Sequence, residues 1–154
     1  MTTMNSRCEI VPFHVEHLDR FEGKVGGEWL SPDVDLKQVL AIYAKQGTLF
    51  SVIVGDKVVA VGGLLPLWKG VGEVFANFSP EGEHYMKSIH RAAKGIIAAA
   101  LADGFWRIQT NILAGFEKGI LWVEGLGFVQ EGPPMRKYSP SGKDMLRYVI
   151  VKEG

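Results

Sequence analysis

Two strand-like segments joined by one long amphipathic helix constrain this chain more than any other feature. Gly72–Phe78 and Trp106–Ile112 read as strands. Between them, Glu83–Ala102 carries an apolar stripe at helical spacing (Tyr85, Met86, Ile89, Ala93, Ile96, Ile97, Ala100, Leu101), and Lys87, Arg91 and Lys94 share another face. Asp103-Gly104 ends the helix. Such a helix is long enough for a right-handed crossover, so the two strands are predicted to be parallel and adjacent.

The remaining elements follow from turn chemistry and periodicity. Cys8–Val11 reads as a first strand and Val15–Phe21 as a first helix, followed by a connector, Glu22–Gly27. Pro32 and Asp33 open a helix over Asp35–Lys45, with Leu36, Val39, Leu40 and Tyr43 on one face and Gly47 as its stop. Leu49–Val54 and Lys57–Leu65 flank a two-residue Gly55-Asp56 turn, a hairpin whose second strand should end or kink at Pro66. Glu117–Leu126 is a helix with Ile120, Val123 (or Trp122) and Leu126 at helical spacing. Gly127 is its left-handed stop and a strand follows over Phe128–Glu131, then another over Met145–Val151.

The chain of 154 residues reads as one domain, 1–154. Seventeen basic and seventeen acidic residues cancel, so no global field draws it toward nucleic acid or a membrane surface. The lone Cys8 suits a reducing compartment. Met1–Arg7 lacks the apolar core of a signal peptide, and the longest apolar stretch, Val58–Trp68, is interrupted by glycines and Pro66 and too short to span a bilayer. A cytoplasmic protein, or one packed inside a particle assembled there, is expected.

From Phe50 to Val151, the element order and the closing Leu126-Gly127-Phe128 resemble the GNAT superfamily of N-acetyltransferases, whose last helix typically ends in this tripeptide. Within it, the chain is most similar to the GNAT-like proteins of tailed phages, including internal virion proteins. The resemblance implies a mixed, mostly antiparallel sheet flanked by helices. Its central parallel strands would splay apart to admit the pantetheine arm of acetyl-CoA.

Carried over residue by residue, the family's motifs are altered here. Its glycine-rich pyrophosphate turn falls on Ser79-Pro80-Glu81-Gly82-Glu83-His84-Tyr85-Met86-Lys87-Ser88, with one glycine, a proline that removes a donor, and two carboxylates. Two readings stay open there: a helix end capped by Glu81, Glu83 or the Ser79 hydroxyl, or an anion site using Gly82 with Lys87 and Arg91 in support. The family's frequent tyrosine acid falls on Val123, beside Trp122, and its frequent asparagine on Phe116 rather than Asn111. An acid must then come from Tyr85, Tyr138 or Tyr148, and Tyr85 is the candidate taken with Glu73.

Glu73 stands in the fourth strand, where the resemblance places a carboxylate base facing the acceptor amine; burial beside aromatics would raise its pKa. The plainer reading is an outward charge on an alternating strand. Phe75 and Asn77 share its face at period two and complete the candidate cofactor-binding set with Gly82, Lys87 and Arg91. His14 and His17 form an H-x-x-H pair without further metal-like ligands, so a surface pair is expected and no metal; His84 and His90 are expected on a helix surface. Two functions remain open: an acyl-CoA-dependent N-acetyltransferase-like enzyme acting on an amine acceptor, or a non-catalytic GNAT-fold phage protein whose partners are phage structural proteins.

Overall fold

The computed structural model describes residues 8–22 and 36–153. The expected connector after Glu22, the pair Pro32–Asp33, Asp35 and Met1–Arg7 lie outside them. The strands are β1 (Glu9–Pro12), β2 (Thr48–Val54), β3 (Lys57–Trp68), β4 (Val71–Phe78), β5 (Arg107–Leu113), β6 (Val129–Gln130) and β7 (Met145–Val151). The helices are α1 (Leu36–Gln46), α2 (Met86–Ala102) and α3 (Glu117–Gly125). The strands form one sheet in the order β1-β2-β3-β4-β5-β7-β6, antiparallel at every step except β4–β5.

The β4–β5 pair is parallel for the reason the intervening helix predicts. Its ladder covers three steps, Val71↔Arg107, Gly72↔Ile108 and Glu73↔Gln109, and then stops. The start is pinned by the Gly70 carbonyl, which accepts from the N–H groups of both Trp106 and Arg107. Beyond the last step Thr110 Oγ1 donates to the Val74 carbonyl at 2.9 Å, a side chain reaching where the backbone no longer does. The strands therefore diverge toward their C-terminal ends. On one sheet face α2 and α3 pack together, with Ile97, Val123 and Leu126 against Leu64, Ile108 and Tyr148. On the other, Leu40 of α1 joins Phe13, Leu18, Leu49, Val58 and Val61.

Several boundaries differ from expectation. β3 runs through Pro66 to Trp68, and the proline is absorbed by a register shift between Pro66 and Trp68. The stretch expected as the first helix is a 3-10 turn, Val15–Arg20. The long helix begins at Met86, because Ser79 and Pro80 first set a 3-10 turn over Pro80–Tyr85. β6 shrinks to Val129–Gln130; Phe128 belongs to the corner before it, where Gly127 has φ +102° and Phe128 is 2% exposed.

His17 overturns the expected surface pair. It is 8% exposed, and its Nδ1 lies 2.8 Å from Ser51 Oγ and accepts the His14 N–H at 3.2 Å. Nδ1 is thus a lone-pair acceptor, and burial, then His14 and Arg20, lowers the ring's pKa.

Two measurements check this architecture. Gly127→Ala should lose about 1–3 kcal/mol in urea unfolding, because the side chain enters a positive-φ conformation. His17 should make stability fall as pH drops below about 6.5, since the unfolded chain then takes up a proton that the native ring resists. Comparing unfolding midpoints at about pH 7.5 and pH 5.5 should show a smaller decline in His17→Gln.

Candidate functional site

Where β4 and β5 part, the sheet opens into a cleft of about 400 Å³. Its polar end holds Glu73, Thr110 and Asn111, and Tyr43, Phe75 and Tyr138 add aromatic wall. Because Val74 presents its carbonyl to β5, strand alternation turns the backbone of Ala76 and Phe78 the same way, past the point where the ladder ends. An extended chain carrying amide groups could pair with that edge as an added strand would.

Glu73 is half-buried and oriented by a row of side chains along β5. Its Oε1 accepts from Gln109 Nε2 at 3.0 Å; Gln109 Oε1 accepts from Arg107 Nε at 2.9 Å; Arg107 forks onto both oxygens of Glu131. Hydrogen bonding to Arg107 holds the Glu131 carboxyl below the usual range, and the same bond raises the guanidinium. Glu73 itself receives a neutral amide and forms no ion pair among the described residues. The carboxylate is held in place with its charge uncancelled.

The turn after β4 is capped from within the chain. Ser79 Oγ accepts the Gly82 N–H at 3.2 Å, so the hydroxyl is the cap. Gly82 is not a free donor to an anion. It is buried, and a Cβ there would come within 2.5 Å of the Val59 carbonyl, so its glycine serves the close approach of turn to β3. Glu81 bonds Lys57 at 3.1 Å and Glu83 bonds Lys118 at 2.7 Å. Each carboxylate pairs with a lysine, and the cap is the Ser79 hydroxyl rather than Glu81 or Glu83.

Other candidates divide by position. Tyr85 does not line the cleft; it packs with Phe78 and Met86 against Val52 and Ile89. Tyr148 is buried, donates to Glu124 at 3.2 Å, and is pushed up in pKa by that burial first. Tyr138, half exposed, is the one of the three tyrosines that lines the cleft. Phe75 lines it with Glu73, whereas Asn77 is 3% exposed, lies outside the lining, and has neither amide atom bonded among the described residues. Lys87 and Arg91 border a shallower groove with His90, Lys94 and Trp122; His84 is exposed and His90 half-buried. Trp122 stands edge-on to Phe78 at 5.3 Å, with its indole N–H buried and unpartnered among the described residues. His14 and His17 gain no third metal-type ligand among the described residues.

Gln109 and Thr110 were not anticipated. Both follow from where the ladder stops, and no spacing in the sequence marks that point.

No family model matches the chain, and no curated protein matches its sequence. Its shape, however, has many solved counterparts. Ard1 from Thermoplasma volcanium superposes with a TM-score of 0.78 at 9% identity, over 96% of this chain and 99% of that one. A GNAT-family acetyltransferase from Bacillus anthracis does so at 0.73 and 16%, over 100% of both chains. A spermidine N-acetyltransferase from Vibrio cholerae, in complex with CoA and spermine, gives 0.71 and 15%, over 96% and 97%. Identities this low speak for shape alone, and that shape, with its one parted parallel pair in an otherwise antiparallel sheet, is the GNAT acetyltransferase fold.

Proposed function

We propose that the protein is an acyl-CoA-dependent N-acyltransferase, of the acetyltransferase type, acting on an amine. The observation that carries this reading is the unladdered edge of β4 at Ala76 and Phe78, beside a held but unneutralised Glu73. The solved neighbour holding CoA and spermine supports both halves, donor and amine.

The residues fit an acyl-CoA unevenly. The edge of β4 suits the amide groups of a pantetheine arm. Lys87 and Arg91 beside Trp122 would hold the nucleotide end, in place of the usual glycine-rich turn, whose one glycine N–H is already capped. The thioester supplies an acyl carbon activated toward amines. The amine lone pair attacks that carbon, the C–N bond forms and the C–S bond breaks; the proton lost from nitrogen passes to Glu73, and sulfur leaves as thiolate. A thiol titrates near 8.5, so the thiolate is a competent leaving group without an enzymic acid, and the loss of a tyrosine at Val123 is tolerable. Should an acid assist, Tyr138 has the position for it and Tyr85 does not. Ala76 N–H would face the oxygen that gains charge, so rate rests on placement and oxyanion support. Gln109 acts through Glu73 as a positioning residue.

The second reading, a non-catalytic GNAT-fold protein that assembles with phage structural proteins, draws on the capped Gly82 and on Val123. One measurement separates the two. A CoA binder gains about 2.7 kcal/mol in unfolding free energy at a hundredfold excess of ligand over its dissociation constant. A thermal scan with free CoA and acetyl-CoA should show the corresponding rise, and a flat result at millimolar ligand favours the second reading. In the enzyme, Glu73→Gln should lower kcat/KM by roughly 10²–10⁴-fold and leave CoA affinity unchanged.

A further inference from the structure

The cleft does not end at Glu73. From the parting strands it continues between α2 and the sheet as far as Ile10 of β1. Its floor is the cross-strand row Phe50–Gly62–Ala76, and it narrows over the next row, Val52–Ala60–Phe78, which packs with Ile89 in one buried cluster. Its roof is Ile89, Ala92 and Ile96 of α2. The gap exists because small residues face each other: Gly62 and Ala76 below, Ala92 and Ala93 above. Gly62 is held small by its backbone, since a Cβ would come within 2.6 Å of the Phe75 carbonyl. None of these floor or roof residues carries a charge or a side-chain hydrogen-bonding group. Across three strand spacings this arm spans roughly 14 Å. A small polar acceptor would find nothing to bond there, and an acetyl group would leave most of it empty.

We infer that this arm receives the acyl chain of the donor, and that the preferred donor is a medium-chain acyl-CoA rather than acetyl-CoA. The inference rests on the acyltransferase reading and refines it. The chain must start where the thioester does, at the parted strands, and the apolar arm is continuous with that point. Transfer is unchanged: amine and acyl thioester give amide, CoA thiolate and one proton, which passes from nitrogen to Glu73 and on to solvent. Each methylene drawn into such a site strengthens binding by about fourfold.

Calorimetry with free CoA, acetyl-CoA and hexanoyl-CoA on the wild-type protein tests this. Hexanoyl-CoA should bind on the order of 10²-fold more tightly than acetyl-CoA. Ala92→Leu, which fills the roof, should remove at least about tenfold of that advantage and leave free CoA affinity unchanged. Ile96→Phe intrudes on the same space and replaces it should Ala92→Leu fail to fold. Equal affinity for the acetyl and hexanoyl donors, with CoA bound, overturns the chain-length inference and leaves the acyltransferase standing. A hexanoyl advantage that survives both variants also overturns it, because the chain then lies elsewhere. No binding of free CoA or either thioester overturns both.

Discussion

The end of the β4–β5 ladder is the constraint on which the rest of this molecule depends. A parallel pair that continued past Glu73 would close the sheet, and neither the cleft nor the exposed edge at Ala76 would exist. The break is held by specific contacts on both sides. Gly70 takes two N–H groups at the start of β5, and Thr110 replaces the next backbone bond with its hydroxyl. Burial of Ile108, Val123 and Phe128 behind the gap keeps β5 anchored while its end swings away. An unladdered strand edge inside a cleft costs solvation free energy unless something pairs with it, so the geometry is itself a binding preference.

Among the described residues, most carboxylates near the cleft are paired, and Glu73 is not in an ion pair. Glu131 is taken by Arg107, Glu81 by Lys57 and Glu83 by Lys118. Glu124 accepts from the Tyr148 hydroxyl. Glu73 has only an amide donor, and that amide is fixed in turn by Arg107. The guanidinium thus reaches Glu73 through a neutral residue: it orients the carboxyl group without forming an ion pair with it.

Much of the architecture was legible because it is local. The helix between two strands fixes a crossover, Gly55-Asp56 a hairpin, and Leu126-Gly127-Phe128 a corner, each through residues close in sequence. What escaped is tertiary. Pro66 stays in β3 because a register shift accommodates it, which no property of Pro66 announces. His17 is buried because Ser51, far along the chain, supplies a hydroxyl. Glu81 and Glu83 look like caps in sequence but face lysines from β3 and α3. Tyr85 packs against the Val52 and Ile89 cluster and is not among the residues lining the cleft, and the apolar arm is lined by Gly62 of the sheet and Ala92 of α2, far apart in sequence.

The Phe78–Trp122 pair joins the end of β4 to α3, and both rings line the cleft. The two elements meet there through rings in edge contact. Such a contact contributes about 0.5–1.5 kcal/mol beyond area burial. That part of the cleft wall is therefore tied together by side chains alone, and a change of either ring alters it without touching the hydrogen-bonded ladders of the sheet.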